Sequence, residues 1–169
     1  MSHTIDDDVI ITGDLDIVGN LAAARWYVDA DKTFTGSESL ITGLTQSWIK
    51  GSVNGNTAWI TESAGVFNVT STGYYRVSVN CRVQVTSANA GDWFQVSTFV
   101  NSVRVSNVIG SVASESGNYK QLSSNDIIKI TDTGHDLEFK IGDANTAQVV
   151  TLKQNEDRSW FIFERVGAI

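Results

Sequence analysis

Between Gly73 and Val85 the chain alternates apolar and polar residues for longer than anywhere else. Tyr75, Val77, Val79, Cys81, Val83 and Val85 fall on one side, with Arg76, Ser78, Asn80, Arg82 and Gln84 on the other. That period predicts a half-buried β-strand of roughly 40 Å at about 3.3 Å per residue, suited to the centre of a large antiparallel sheet. A helix would scatter the same apolar groups around its axis.

Shorter strand signals surround it. Trp26-Tyr27-Val28 and Thr33-Phe34-Thr35 precede it, as do Ala58 to Thr61 and Gly65 to Val69. Asp92 to Val100 follows, closed by an Asn101-Ser102 turn and answered by Val103-Arg104-Val105. Tyr119 to Leu122 and Asp126 to Thr131 flank Ser123-Ser124-Asn125, which reads as a turn, and Gly110 to Asn118 reads as a loop. Leu137, Phe139 and Ile141 alternate with Glu138 and Lys140, and Val149 to Leu152 follows a polar loop. Residues 37 to 56 have a poor pattern, in which Leu40, Ile41, Leu44, Trp48 and Ile49 suit a short helix or a wandering loop. This succession predicts an all-β fold, an antiparallel β-sandwich.

The last strand, Ser159 to Val166, differs in kind. Trp160 and Ile162 point one way and Phe161 and Phe163 the other, so both faces carry large apolar groups. The outer face of a monomeric sandwich should be polar, which places Tyr75, Trp160, Phe161 and Phe163 at a subunit interface. The alternative is a strand covered on both sides within one chain.

Residues 1 to 25 read as an attachment arm, and residues 26 to 169 as the head. Val9, Ile10 and Ile11, then Leu15, Ile17 and Val18, form two apolar bursts separated by Thr12-Gly13-Asp14, the spacing of short strands joined at turns. A piece this small cannot bury a core alone, so these six residues need a partner: the head, sister copies or another protein. Asp6, Asp7, Asp8, Asp14 and Asp16 lack the oxygen-ligand spacing of a calcium loop and read as a solvated acidic face, so no metal or cofactor is expected.

The 169 residues suit one domain with a short appendage. A net charge of −7 opposes nucleic-acid binding, because a phosphate backbone would meet repulsion. No window has the run of apolar residues that a membrane span needs, and the acidic start does not read as a signal peptide. Cys81 is the single cysteine, so no internal disulfide forms and packing alone holds the fold, as assembly in a reducing cytoplasm would require. It reads as a small buried hydrophobe in preference to a reactive thiol.

Several segments together resemble a known family. Gly65 to Val69 with Ser71-Thr72-Gly73-Tyr74-Tyr75, Phe99-Val100-Asn101, Leu122 to Ile130, and the terminal aromatic strand Ser159 to Val166 resemble the trimeric jelly-roll heads of tumour-necrosis-factor-like and complement globular domains, as found in phage fibre tips and capsid decorations. The match covers residues 26 to 169. Thr72-Gly73 stands where the family has Pro-Gly, and Asn125-Asp126 where it has a Gly-Asp turn. The resemblance implies a jelly-roll homotrimer. The echo of Ile11 to Leu15 in Ile17 to Leu21 resembles the glycine-punctuated shafts of phage tail fibres.

No nucleophile elbow, phosphate loop, HExxH helix or zinc spacing is present, and His135-Asp136 reads as an exposed turn. Carboxylate pairs brought together by the fold stay open in principle, but the chain is short for a polysaccharide depolymerase. The expectation is a non-enzymatic structural protein on the virion surface of a tailed phage, a trimeric capsid decoration or short head fibre. Its arm would engage the major capsid protein or another virion protein. The alternative is a tail module that recognises a host surface glycan through Trp48 and Tyr119, since sugars stack on aromatic faces; either residue could equally be core.

Overall fold

A computed structural model describes residues 22–35, 38–53, 55–86, 92–111, 119–143 and 149–169. Every regular element among them is a strand. In chain order these are β1 (Ala23–Val28), β2 (Lys32–Thr35), β3 (Ser39–Leu40), β4 (Leu44–Lys50), β5 (Ile60–Ser63), β6 (Val66–Val69) and β7 (Gly73–Thr86). Then come β8 (Trp93–Val100), β9 (Val103–Ser111), β10 (Tyr119–Ile130), β11 (His135–Asp143), β12 (Val149–Leu152) and β13 (Trp160–Gly167).

The alternating stretch is β7, and it organises the larger, seven-stranded sheet. β10 lies along one side of it, while β13 and β12 share the other; β1 and β4 continue beyond β13, and β2 beyond β12. The second sheet runs β5-β6-β11-β8-β9, with β3 on β11. All pairings are antiparallel, and the two sheets pack face to face as a sandwich.

The period of two decides the core. Tyr75, Val77, Val79, Cys81, Val83 and Val85 of β7 are all buried, as are Leu137, Phe139 and Ile141 of β11. At the centre, Phe67 of β6 lies 4.7 Å from Phe163 and 5.1 Å from Trp26. Offset and edge-on ring pairs of this kind add about 0.5–1.5 kcal/mol beyond their area. Burial pushes the Cys81 thiol well above its usual range, so it behaves as a hydrophobe.

The structure corrects several expectations. Ser123-Ser124-Asn125 is no turn: β10 runs unbroken from Tyr119 to Ile130, and Ser123 and Asn125 sit opposite Asn80 and Ser78 in the ladder to β7. Residues 37 to 56 hold the strands β3 and β4 in place of a helix or loop. β9 extends to Ser111, into what reads as loop. β1 begins at Ala23, so a boundary after residue 25 falls inside the sheet. The Asn101-Ser102 turn is present, with φ of 47° and 66°, as is the alternation predicted for β7, β11 and β13.

Candidate functional site

The decisive residues are those of β13, because they test where a partner could sit. Phe161 and Phe163 are opposite Val79 and Val77 on β7, and opposite Trp26 and Ala24 on β1. Those neighbours face the core, and both phenylalanines are completely buried within one chain. Tyr75 is completely buried too; its ring stacks on Trp59 and its hydroxyl donates to the Ser71 carbonyl at 2.9 Å. The assignment of Tyr75, Phe161 and Phe163 to a subunit interface is therefore corrected. The second sheet, not a second copy, covers them.

Trp160 remains outside. It shares the outer face of the large sheet with Ile162, and both are half-buried. Their row neighbours are Tyr27 and Arg25 of β1, and Trp48 of β4 follows Arg25 in the same row. The Arg25 guanidinium lies 5.6 Å from the Trp160 ring centre and donates to the Glu156 carbonyl, while Glu156 accepts from Ser47 at 2.8 Å. Among the described residues the buried Arg25 Nε has no hydrogen-bond partner. Over β1 and β13 this outer face is apolar and cationic, while over β7 and β10 it carries Ser78, Asn80, Ser123 and Asn125.

Trp48 and Tyr119, the two candidate ligand residues, project from this same face but from its opposite sides. The strand order β4-β1-β13-β7-β10 sets them about 19 Å apart across the sheet at about 4.8 Å per strand, and about 20 Å apart along it, since Trp48 is in the row of Ser78 and Tyr119 in that of Gln84. Tyr119 is 49% exposed, with the Arg82 guanidinium 4.5 Å from its ring centre. Trp48 is half-buried, with the Lys50 ammonium 5.3 Å from its ring. The structure does not bring the two into one site.

A further apolar border escaped the sequence reading. Val103, Val105 and Ile109 of β9 and Ile127 of β10 are all exposed, Ile127 to 64%. Ser106 Oγ donates to Asp126 Oδ2 at 2.7 Å and ties these strands together where the two sheets meet. The ladder to β8 shifts register between Thr98 and Phe99, which leaves Val105 as the bulged residue. Alternation in Val103-Arg104-Val105 signals a strand, but nothing in it signals the bulge.

The attachment residues Val9, Ile10, Ile11, Leu15, Ile17 and Val18 lie outside the described residues. Among the described residues no group of three or more His, Cys, Asp or Glu is gathered as a metal site. A shallow groove of about 470 Å³ runs between β4 and β5, floored by Trp26, Ile49 and Ile60 and rimmed by Gln46, Thr61 and Glu62. His135 and Asp136, expected in an exposed turn, instead open β11 opposite Val69 and Asn68, and His135 Nδ1 lies 2.6 Å from the Asp132 carbonyl.

No family model and no curated protein matches the chain. Solved structures do resemble it. Eiger TNF from S. frugiperda is similar with a TM-score of 0.65 at 11% identity, covering 89% of this chain and 96% of that one. Murine APRIL at pH 5.0 is similar with a TM-score of 0.61 at 13% identity, covering 86% of this chain and 99% of that one. Murine APRIL at pH 8.5 gives 0.59 at 14% identity, over 86% and 98%. Likeness at such identities concerns the fold, and the fold is the tumour-necrosis-factor-like jelly roll: two antiparallel sheets packed as a sandwich, with no helix among the described residues.

Proposed function

We propose that this chain is a non-enzymatic structural protein of a tailed-phage particle, a homotrimeric capsid decoration or short head fibre. The head would face outward and the N-terminal arm would engage the major capsid protein or another virion protein. The observation that carries the reading is the outer face of the large sheet, where Tyr27, Trp160 and Ile162 stand partly open to solvent. Together with the exposed border of Val105 and Ile127, it gives each copy two apolar surfaces for its neighbours. The arm's six apolar residues fit a second, separate contact.

The test is sedimentation of the full chain beside Trp160→Ser/Ile162→Lys, which sets a second cation opposite Arg25. A trimer that becomes a folded monomer in the variant is expected, since a charge buried unpaired in an interface costs several kcal/mol. A monomeric parent chain at micromolar concentration would overturn the reading.

A tail module recognising a host surface glycan is the second reading, favoured by the exposed ring of Tyr119. Abundance in the particle separates the two. Copies comparable in number to the capsid protein mean decoration, and far fewer mean tail.

A further inference from the structure

Charge is segregated in this chain. Residues 1 to 21 hold five of the nineteen acidic residues, Asp6, Asp7, Asp8, Asp14 and Asp16, and none of the twelve lysines and arginines. The outer face of β4-β1-β13-β7-β10 has the opposite sign: Arg25, Lys50, Arg76, Arg82 and Lys129 project from its strands against one strand carboxylate, Glu164, with Glu156 of the β12–β13 connection beside Arg25 and Ser47. Arg76 pairs with Glu164 at 3.3 Å. Arg82 and Lys129 meet the rings of Tyr119 and Tyr74, at 4.5 and 5.9 Å from the ring centres, and neither forms an ion pair among the described residues. Tyr74, Tyr119 and Ile127 add exposed apolar area along the same two strands, β7 and β10. An acidic protein has thus gathered cations and apolar groups into one strip.

We propose that this β7–β10 strip is the docking site of the chain's own N-terminal arm, residues 5 to 18. Three observations choose that occupant. The first is sign, since the arm is purely acidic and the strip nearly purely basic. The second is position: Ala22 accepts a hydrogen bond from the Arg165 N–H, and Ala23 shares a row with Glu164, Arg76 and Ile127. The arm therefore departs about three strand spacings, or about 14 Å, from Ile127. The third is length. Arg76 and Arg82 lie roughly 20 Å apart along β7, and Asp16 and Asp8 are at most about 26 Å apart in an extended chain. The pair Asp14 and Asp16 then reaches Arg76 and Lys129 while Asp6 to Asp8 reach Arg82, and Val9 to Ile11 pass along Ile162 and Trp160 of β13, which stand in the two rows between them beside Ser78 and Asn80.

Tethering raises the arm's effective concentration at the strip to the millimolar range, so weak contacts suffice. Docking covers the six apolar arm residues until an assembly partner takes them. The strip belongs to the outer face and Ile127 border that the proposed trimer would cover, so the arm occupies it in the single copy, before copies join.

Thermolysin cleavage of the arm in the full chain, kept dilute enough to sediment as single copies, tests it, with each rate divided by that of a free peptide of residues 1 to 21 under the same salt. The Debye length is about 30 Å at about 0.01 M salt and about 3 Å at about 1 M, so protection should be at least about tenfold at the first and lost at the second. Replacing all five arm aspartates with Asn, which leaves the sandwich untouched, should abolish protection at low salt. Arg82→Glu/Lys129→Glu, confirmed folded by its melting curve, should do the same. Arm cleavage as fast as the peptide's at low salt would overturn the proposal, as would protection that survives either variant. Protection that disappears on dilution would place the arm on a neighbouring copy and overturn the assignment to its own chain.

Discussion

The ring of Phe161 on β13 lies 4.6 Å from the ring of Phe139 on β11, and this contact joins the two sheets. Phe139 also lies 5.9 Å from Phe163 and 5.6 Å from Phe67, so the C-terminal ribbon is part of the central seam of a single chain. A strand that carries aromatic residues on both faces has divided them. One face closes the sandwich, and the other, with Trp160 and Ile162, is left for contacts outside it.

Phe161→Ala should therefore lower the unfolding free energy by about 3–5 kcal/mol, the cost of an emptied core site. That is a large part of a typical domain's stability of about 5–15 kcal/mol. Trp160→Ala removes a half-buried ring from the outer face and should cost clearly less while weakening self-association. Urea unfolding at two protein concentrations distinguishes the two residues. If stability lost in Phe161→Ala returned as concentration rose, the ring would belong to a shared surface after all.

Much of this was legible in the sequence, and the failures have specific causes. The period of two in β7 and β11 needed nothing but the chain to place Val77, Val79, Leu137 and Phe139 inside. The alternation of β13 gave the correct split of faces, but alternation cannot say which face meets the second sheet. Ser123-Ser124-Asn125 has the composition of a turn because the outer face of β10 is polar there. Ser123 Oγ donates to Asn80 Oδ1 at 2.7 Å, a cross-strand bond that serine and asparagine form as readily as a turn. β4 looked irregular because its ladder to β1 shifts register between Arg25 and Trp26, with Ser47 the extra residue, so Leu44 packs against the core while Trp48, which plain alternation would put on the same face, points out. The outer-face cations are visible as single residues, and only the strand order gathers them.

Glu38 gives a pH dependence with a definite sign. Its carboxylate Oε1 accepts from Ser97 Oγ at 2.8 Å and Gln95 Nε2 at 2.9 Å, and pairs with Arg104 at 2.6 Å. Both Gln95 and Ser97 are buried, on the outer side of β8, because this side chain covers them. Burial alone would raise the Glu38 carboxyl, but the bonds from Arg104, Ser97 and Gln95 outweigh it and bring it below its ordinary value of 4.5. A depressed folded-state value means that the stabilisation is fully present above about pH 4.5 and is lost as pH falls through the folded-state value. Glu38→Gln should lower stability by about 1 kcal/mol at neutral pH and by progressively less below pH 4.5. Urea midpoints of the two proteins that stay equally far apart down the acid limb would show that this carboxylate is not the titrating group.

The β8–β9 hairpin carries a correctable strain. Asn101 and Ser102 have φ of 47° and 66°, the left-handed pair of a two-residue turn that favours asparagine followed by glycine. Asn101 is fixed by other demands, since its N–H donates to the Asp136 carbonyl and its Oδ1 accepts from the Asp136 N–H, both at 2.9 Å. Among the described residues Ser102 makes no comparable bond, and it bears the steric cost of a Cβ in the left-handed region, about 1 kcal/mol. Ser102→Gly should relieve it and raise the melting temperature by roughly 2–4 °C for a chain of this size. Ser102→Val, branched at Cβ and held at the same φ, should lower it by more than that. A melting temperature indifferent to both changes would mean that the turn is remade around whatever residue occupies the second position, and that Asn101 alone sets the hairpin's register.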